Sequence, residues 1–286
     1  MSAPSGPSGG RLSRGTTILL LSPVLALLGF SLFWPVANLV GRSFFDEGFT
    51  LEHYRFVYEQ PLYWRVFGRT FWISVWCCVL ALLIGYPVAY AMARTTGWRG
   101  VVVAACVLVP LWISILVRSY AWIFLLQRNG VVNDVLRDLG IIERPLRLLY
   151  TEGAVLLAMT HVLLPFMILP IYATLRGIPR DLEKAARNLG AGPFRAFWTV
   201  TLPLSLPGVS AGVLFVFILA IGFYITPALV GGPRTLMIGT LIAQQVTELL
   251  NWRVAGAVSM ILLAITLVIT IVFQRALSIE KISGNA

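Results

Sequence analysis

The chain has 286 residues, 58% of them hydrophobic and only 12% charged, with a mean hydropathy of +0.85. Water-soluble domains carry roughly 25% charge, so a soluble enzyme or binding module is excluded and an all-α, polytopic membrane protein is implied. The net charge of +10 comes from 20 Arg and 2 Lys against 12 acidic residues. These basic residues are scattered between apolar stretches, without a basic stripe or interleaved stacking aromatics. Anchoring at membrane surfaces therefore explains them better than nucleic-acid binding, and no nucleic-acid partner is expected.

In chain order, residues 1–15 are rich in Ser, Pro and Gly and read as a disordered leader. The apolar run 16–40 exceeds the roughly 7–15-residue core of a cleaved signal peptide, so it reads as an uncleaved first span. Uncharged runs at 70–93, 100–117, 153–175 and 254–274 each match the roughly 20 residues that cross a hydrocarbon core of about 30 Å. The run 196–233 holds Pro203, Pro207 and Gly208 in its first part, and is read as a surface segment followed by one span near 207–229. Six spans result. Segments 41–65, 126–152 and 232–252 then share one side, with short surface helices expected at 61–65 and at 130–139, where Asn133 and Asp134 begin a turn. Segments 94–99, 176–206 and 275–286 share the other side with the leader. Lys and Arg divide evenly between the two sides, so charge counting alone does not orient the chain. No repeat of 20–50 residues and no inverted pair of broken helices is seen, which weighs against a self-contained carrier.

Chemistry-bearing patterns are scarce. Cys77 and Cys78 are adjacent and Cys106 lies in another span, a spacing that suits neither a metal site nor a disulfide framework. There is no phosphate-binding loop, zinc-binding helix pair or nucleophile elbow. The chain is therefore expected to be no enzyme and to hold no metal or cofactor. His161, beside Thr160 in the fourth span, reads as an interhelical hydrogen bond rather than a proton relay. Polar and aromatic groups inside spans are the candidate path residues: Trp112, Ser114, Arg118 and Tyr120 on the third, Thr160 and His161 on the fourth, Tyr224 and Thr226 on the fifth. Packing or interfacial anchoring is the alternative at each. Arg118 is the sharpest, because an Arg at mid-depth costs about 2.5–3.5 kcal/mol on insertion scales unless it snorkels to the boundary. Facing a path, it would favour an anionic or zwitterionic solute. Gly208 and Gly212 form a G-x-x-x-G step suited to close helix packing, and Pro87, Pro110, Pro165, Pro170 and Pro227 mark sites where kinks are allowed.

The loop 176–208 is the most informative stretch. Leu182, Ala185, Ala186 and Leu189 fall at i, i+3, i+4 and i+7, one apolar stripe of a short helix, with Glu183, Lys184, Arg187 and Asn188 on the other side. Pro179 and Asp181 supply the start and Gly190 the stop. Phe194, Phe197 and Trp198 then share a face before Pro203. A helix resting in headgroups wants large apolar side chains, whereas Ala185, Ala186 and Gly190 leave a shallow surface suited to a protein groove. The pattern predicts a cytoplasmic protein partner.

Residues 183–203 resemble the cytoplasmic coupling motif of ABC importer permeases: E-A-A, three residues, G, nine residues, I, one residue, L-P. Ala185, Ala186, Gly190, Val200, Leu202 and Pro203 stand at that spacing. Lys184 occupies the motif's Glu position, with Glu183 one residue earlier. Residues 84–90 (IGYPVAY), 116–126 (LVRSYAWIFLL), 164–172 (LPFMILPIY) and 223–232, followed by Met237, Ile238 and Gly239, make the chain similar to the B-type subunit of spermidine/putrescine permeases over residues 16–274. The resemblance implies a six-helix type I ABC importer permease (MetI-like) fold in the bacterial inner membrane. It also implies cytoplasmic termini and a permease core from about 66 to 274. The implied partners are a pair of ABC ATPase subunits, a sister permease and a periplasmic solute-binding protein. The ATPase-coupling residues would be Glu183, Lys184, Ala185, Ala186, Gly190, Leu202 and Pro203. The implied solute is a polyamine, with an amino acid, opine or phosphonate as alternatives; a span region free of acidic residues argues against a polyamine-specific tunnel.

Overall fold

The computed structural model describes residues 14–45 and 48–283, with side chains over 18–45 and 48–275. The expected leader lies outside these residues except at its end, where the first helix begins. Helices α1 (Arg14–Phe44), α2 (Glu52–Glu59) and α3 (Pro61–Arg94) come first. They are followed by α4 (Gly97–Trp112), α5 (Ile115–Leu126) and α6 (Val131–Asp138), then the long α7 (Glu152–Gly177). The loop helix α8 (Arg180–Asn188) leads to α9 (Pro193–Ala196), a π-turn (Phe197–Thr201) and α10 (Leu202–Ile221). A second π-turn (Pro227–Gly231), a short 3-10 turn, α11 (Ile238–Thr247) and α12 (Trp252–Ser283) complete the chain.

Five of these are long and apolar enough to cross a membrane, and six when α4 and α5 are taken as one bent span. α7 is apolar on all faces, as a fully enclosed helix should be, and packs between α3 and α10. Met159, Leu163, Met167, Ile168 and Ile171 of α7 are fully buried in the main core. Close approach is built from glycine. A Cβ on Gly208 would lie 2.5 Å from Thr174 Oγ1 and 2.7 Å from the Pro170 carbonyl, and one on Gly212 3.0 Å from the Met167 carbonyl. The G-x-x-x-G step thus serves packing within the chain. A second core joins α2, the start of α3, α11 and α12 through Val57, Tyr63, Ile238 and Val258. There Thr70 Oγ1 accepts the Ile238 N–H at 2.8 Å, both groups buried. α1 leans on α12 and exposes most of its apolar surface.

Three expectations are corrected. The third span is not continuous: its two halves meet at a bend of 102°. Pro110 supplies no N–H and its ring opposes the preceding turn, and the Ile113 N–H bonds back to the Pro110 carbonyl at 3.2 Å before the chain turns. The fifth span runs from Pro193 to Ile221 without a separate surface segment. The π-turn widens the backbone ahead of Pro203, whose nitrogen has no hydrogen to donate. This span stops at Gly222 rather than near 229. Finally, Pro61 opens α3 itself instead of a surface helix, whereas the helix expected at 130–139 forms as α6. Asn133 does not start that helix. Its buried side chain clamps the following loop, accepting the Leu146 N–H at 2.8 Å and donating to the Leu146 carbonyl at 3.0 Å.

Candidate functional site

α8 buries none of its nine residues. Leu182, Ala185 and Leu189 present an apolar stripe to the outside, Leu189 with 89% of its surface exposed, and Phe194 and Trp198 extend it. Ala186 is half-buried at the edge of the stripe. The helix ends on Gly190, at φ +85°. The Ala191 N–H bonds the Ala186 carbonyl at 3.0 Å and the Gly190 N–H bonds the Arg187 carbonyl at 2.9 Å. That pair of bonds is the Schellman closure, which needs a left-handed residue at the turn.

One polar anchor holds this exposed helix to the spans. Glu183 does not lie on the outer polar face; it turns inward. Its carboxylate pairs with Arg94, in the last turn of α3, and accepts the Thr201 hydroxyl at 2.5 Å. Arg94 lies over the Tyr90 ring, 5.3 Å from its centre. Phe197 also turns inward, edge-on to Tyr86 and Tyr90 at 5.8 Å each, while its ring keeps an edge contact of 5.7 Å with the exposed Trp198. Tyr86 and Ser205 are hydrogen-bonded at 2.8 Å. The end of α3, the loop helix and the π-turn thus form one connected unit. Lys184 points the opposite way, paired only to Asp181 at 2.9 Å, with both side chains largely exposed. Leu202 and Pro203 open α10 directly above Thr201.

The candidate path residues fall into two groups. Trp112 and Ser114 sit at the bend between α4 and α5, and Trp112 is 89% exposed. Arg118, one turn further on, is buried. It reaches the Val162 carbonyl at 3.4 Å and leaves its Nε without a partner. It lines a cavity of about 370 Å³ with Trp112, Phe166, Leu219 and Phe223. Tyr120 faces outward. His161 bridges α7 and α5, its Nδ1 accepting the Trp122 indole N–H at 3.3 Å. Thr160 is buried and donates to Cys77 Sγ at 3.7 Å. Tyr224 and Thr226 lie beyond the end of α10, in the bend before the second π-turn. Tyr224 is exposed, and Thr226 shares a buried 3.0 Å hydrogen bond with Ser119 of α5.

Residues 81–279 match the family model described as binding-protein-dependent transport system inner membrane component. The chain belongs to that family. A spermidine/putrescine transport system permease protein of Haemophilus influenzae, PotB, is 35% identical over 82% of each chain. The inner membrane ABC transporter permease protein YdcU of Escherichia coli is 32% identical over 91% of this chain and 92% of its own. Among solved structures, a bacterial ABC transporter involved in import of the acidic polysaccharide alginate aligns with a TM-score of 0.72 at 19% identity. That alignment covers 91% of this chain and 94% of the other. The chain is thus a PotB-type, multi-pass ABC importer permease of the inner membrane, and not an enzyme.

Within this permease, sequence reasoning missed Arg94, Thr201 and Ser119. Arg94 looked like one more boundary anchor and the two hydroxyls like ordinary loop or helix residues. Their partners lie 89, 18 and 107 positions away, beyond the reach of any local periodicity.

Proposed function

We propose that this permease forms half of a translocation path beside a sister permease, both termini cytoplasmic, with two ATPase subunits gripping its α8 and the equivalent helix of the sister. A solute-loaded periplasmic protein would dock at the opposite end, where α2, α6 and the 232–252 segment lie. The observation that carries this reading is the apolar stripe of α8. A nine-residue helix is marginal in isolation, yet this one is capped, charge-anchored and left with Leu182, Ala185 and Leu189 uncovered. Such a helix has the form of a knob for a groove. ATP-driven closure of the ATPases would pull α8, and through Glu183 it would move the ends of α3 and α10. Differential affinity of the two conformations for ATP supplies the drive.

The solute is a polyamine on this reading, supported by the identity to spermidine/putrescine permeases. Reconstitution with the ATPase and binding protein encoded alongside it should give ATP-dependent uptake of labelled spermidine or putrescine. Uptake without ATP would sink the importer reading for a channel or carrier. A second reading rests on Arg118. It is a buried cation in a span region that holds no acidic residue among the described side chains of α3, α4, α5 and α10, and it favours a solute with an anionic group. Competition of amino acids, opines or phosphonates for the same uptake separates the two.

A further inference from the structure

A second cavity, of about 580 Å³, opens beside the α8 anchor, between the α3–α4 turn and the end of α7. Three arginines line it, Arg94, Arg176 and Arg180, together with Thr95, Thr96 and Tyr172. No carboxylate lines it. Among the described residues Arg176 and Arg180 enter no ion pair, and Arg176 donates only to the Tyr172 hydroxyl, at 2.8 Å. Arg94 spends one terminal nitrogen on Glu183, while its Nε is buried without a partner. Three guanidiniums against one carboxylate leave a cluster that is short of negative charge. The other wall is apolar, formed by Met92, Val101, Ala104 and Leu175.

We propose that this cavity binds the phosphate of an anionic phospholipid. Guanidinium forks match phosphate oxygens two at a time, and basic pockets between spans at the headgroup level are a known way of holding acidic lipids. Depth fits this ligand. α3 and α7 both leave the membrane here, and the exposed Trp98 close by marks the interface. The apolar wall continues along α4 and α7, where a glycerol backbone and the first acyl carbons would lie. Because Arg94 belongs to both clusters, a bound phosphate would share the cation that anchors α8. The proposal does not depend on the solute or on the ATPase reading.

The test uses the full-length permease in detergent, titrated with phosphatidylglycerol, phosphatidylcholine or inorganic phosphate. Lipid retention is read by native mass spectrometry and the melting temperature alongside it. Phosphatidylglycerol should bind selectively and raise the melting temperature. Arg176→Ala with Arg180→Ala should weaken that binding by about tenfold or more, as expected for charge-assisted bonds lost to a phosphate. Arg99→Ala, which removes an exposed charge outside the cavity, should leave it unchanged. Both arginines are exposed, so the double variant should elute and melt like the parent when lipid is absent. Equal binding of phosphatidylcholine overturns the proposal, as does unchanged phosphatidylglycerol binding in the double variant. Inorganic phosphate displacing the lipid effect at millimolar concentration also overturns it, in favour of a soluble phosphate ligand.

Discussion

Replacing Gly190 with valine perturbs a single, well-defined feature. The residue sits at φ +85° with nothing within 4 Å of the position a Cβ would take, so the cost is conformational and not steric crowding from a neighbour. Holding an L-residue in the left-handed region costs roughly 1–2 kcal/mol, and more for a β-branched side chain. That is about 5- to 30-fold in the population of the closed cap. The short helix has no buried residue to offset the loss, so its last turn and the angle of the apolar stripe should fray. Membrane insertion and global melting should stay as they were, because no span is touched. Uptake in reconstituted vesicles should fall by a comparable factor, with hydrogen exchange rising at the Gly190 and Ala191 amides. The Gly190→Asn variant, whose new side chain tolerates the left-handed region, should retain most activity. A Gly190→Val protein with normal uptake and unchanged exchange would refute the role of the cap.

Glu183→Gln and Arg94→Gln should each loosen α8 by about 1–3 kcal/mol, between the values for exposed and fully buried pairs; a double-mutant cycle on uptake should show strong non-additivity, and additive effects would dismiss the anchor. Thr226→Val or Ser119→Ala alone should lower the melting temperature by leaving a buried hydroxyl unpaired, a cost of about 1–3 kcal/mol, while the double variant should recover much of it. Gly212→Val should destabilise by roughly 1–3 kcal/mol through overpacking against Met167, whereas Gly29→Val, with open space around it, should melt like the parent.

Because a membrane helix must satisfy its backbone internally and so announces itself in composition, hydrophobic run lengths were sufficient to find the apolar helices, though not the shape of the third span or the bounds of the fifth. They failed at the prolines that matter, in opposite senses. Pro110 ends its helix two residues on, where the Ile113 N–H bonds back to its carbonyl and the chain turns; Pro203 stands in the first turn of α10, where no N–H is needed, and Pro207 lies inside that helix without ending it. The stripe of α8 and its glycine stop were legible from spacing of three, four and seven. The inward turn of Glu183 was not, since the same periodicity puts it among polar neighbours and only Arg94, from another span, draws it in. Arg118 was legible as an oddity but not as a buried group leaning on a carbonyl of α7.

The 102° bend between α4 and α5 has a bearing on how the chain can exist in a bilayer. Irregular backbone at membrane depth is tolerated only against protein or water, and here the bend carries the uncovered Trp112 and Ser114 on the surface of the chain. Hydrocarbon cannot satisfy the peptide groups of such a corner. In the proposed assembly, a corner set at membrane depth would have to face the aqueous path or the sister permease, which would make the isolated chain an unfinished wall rather than a closed body.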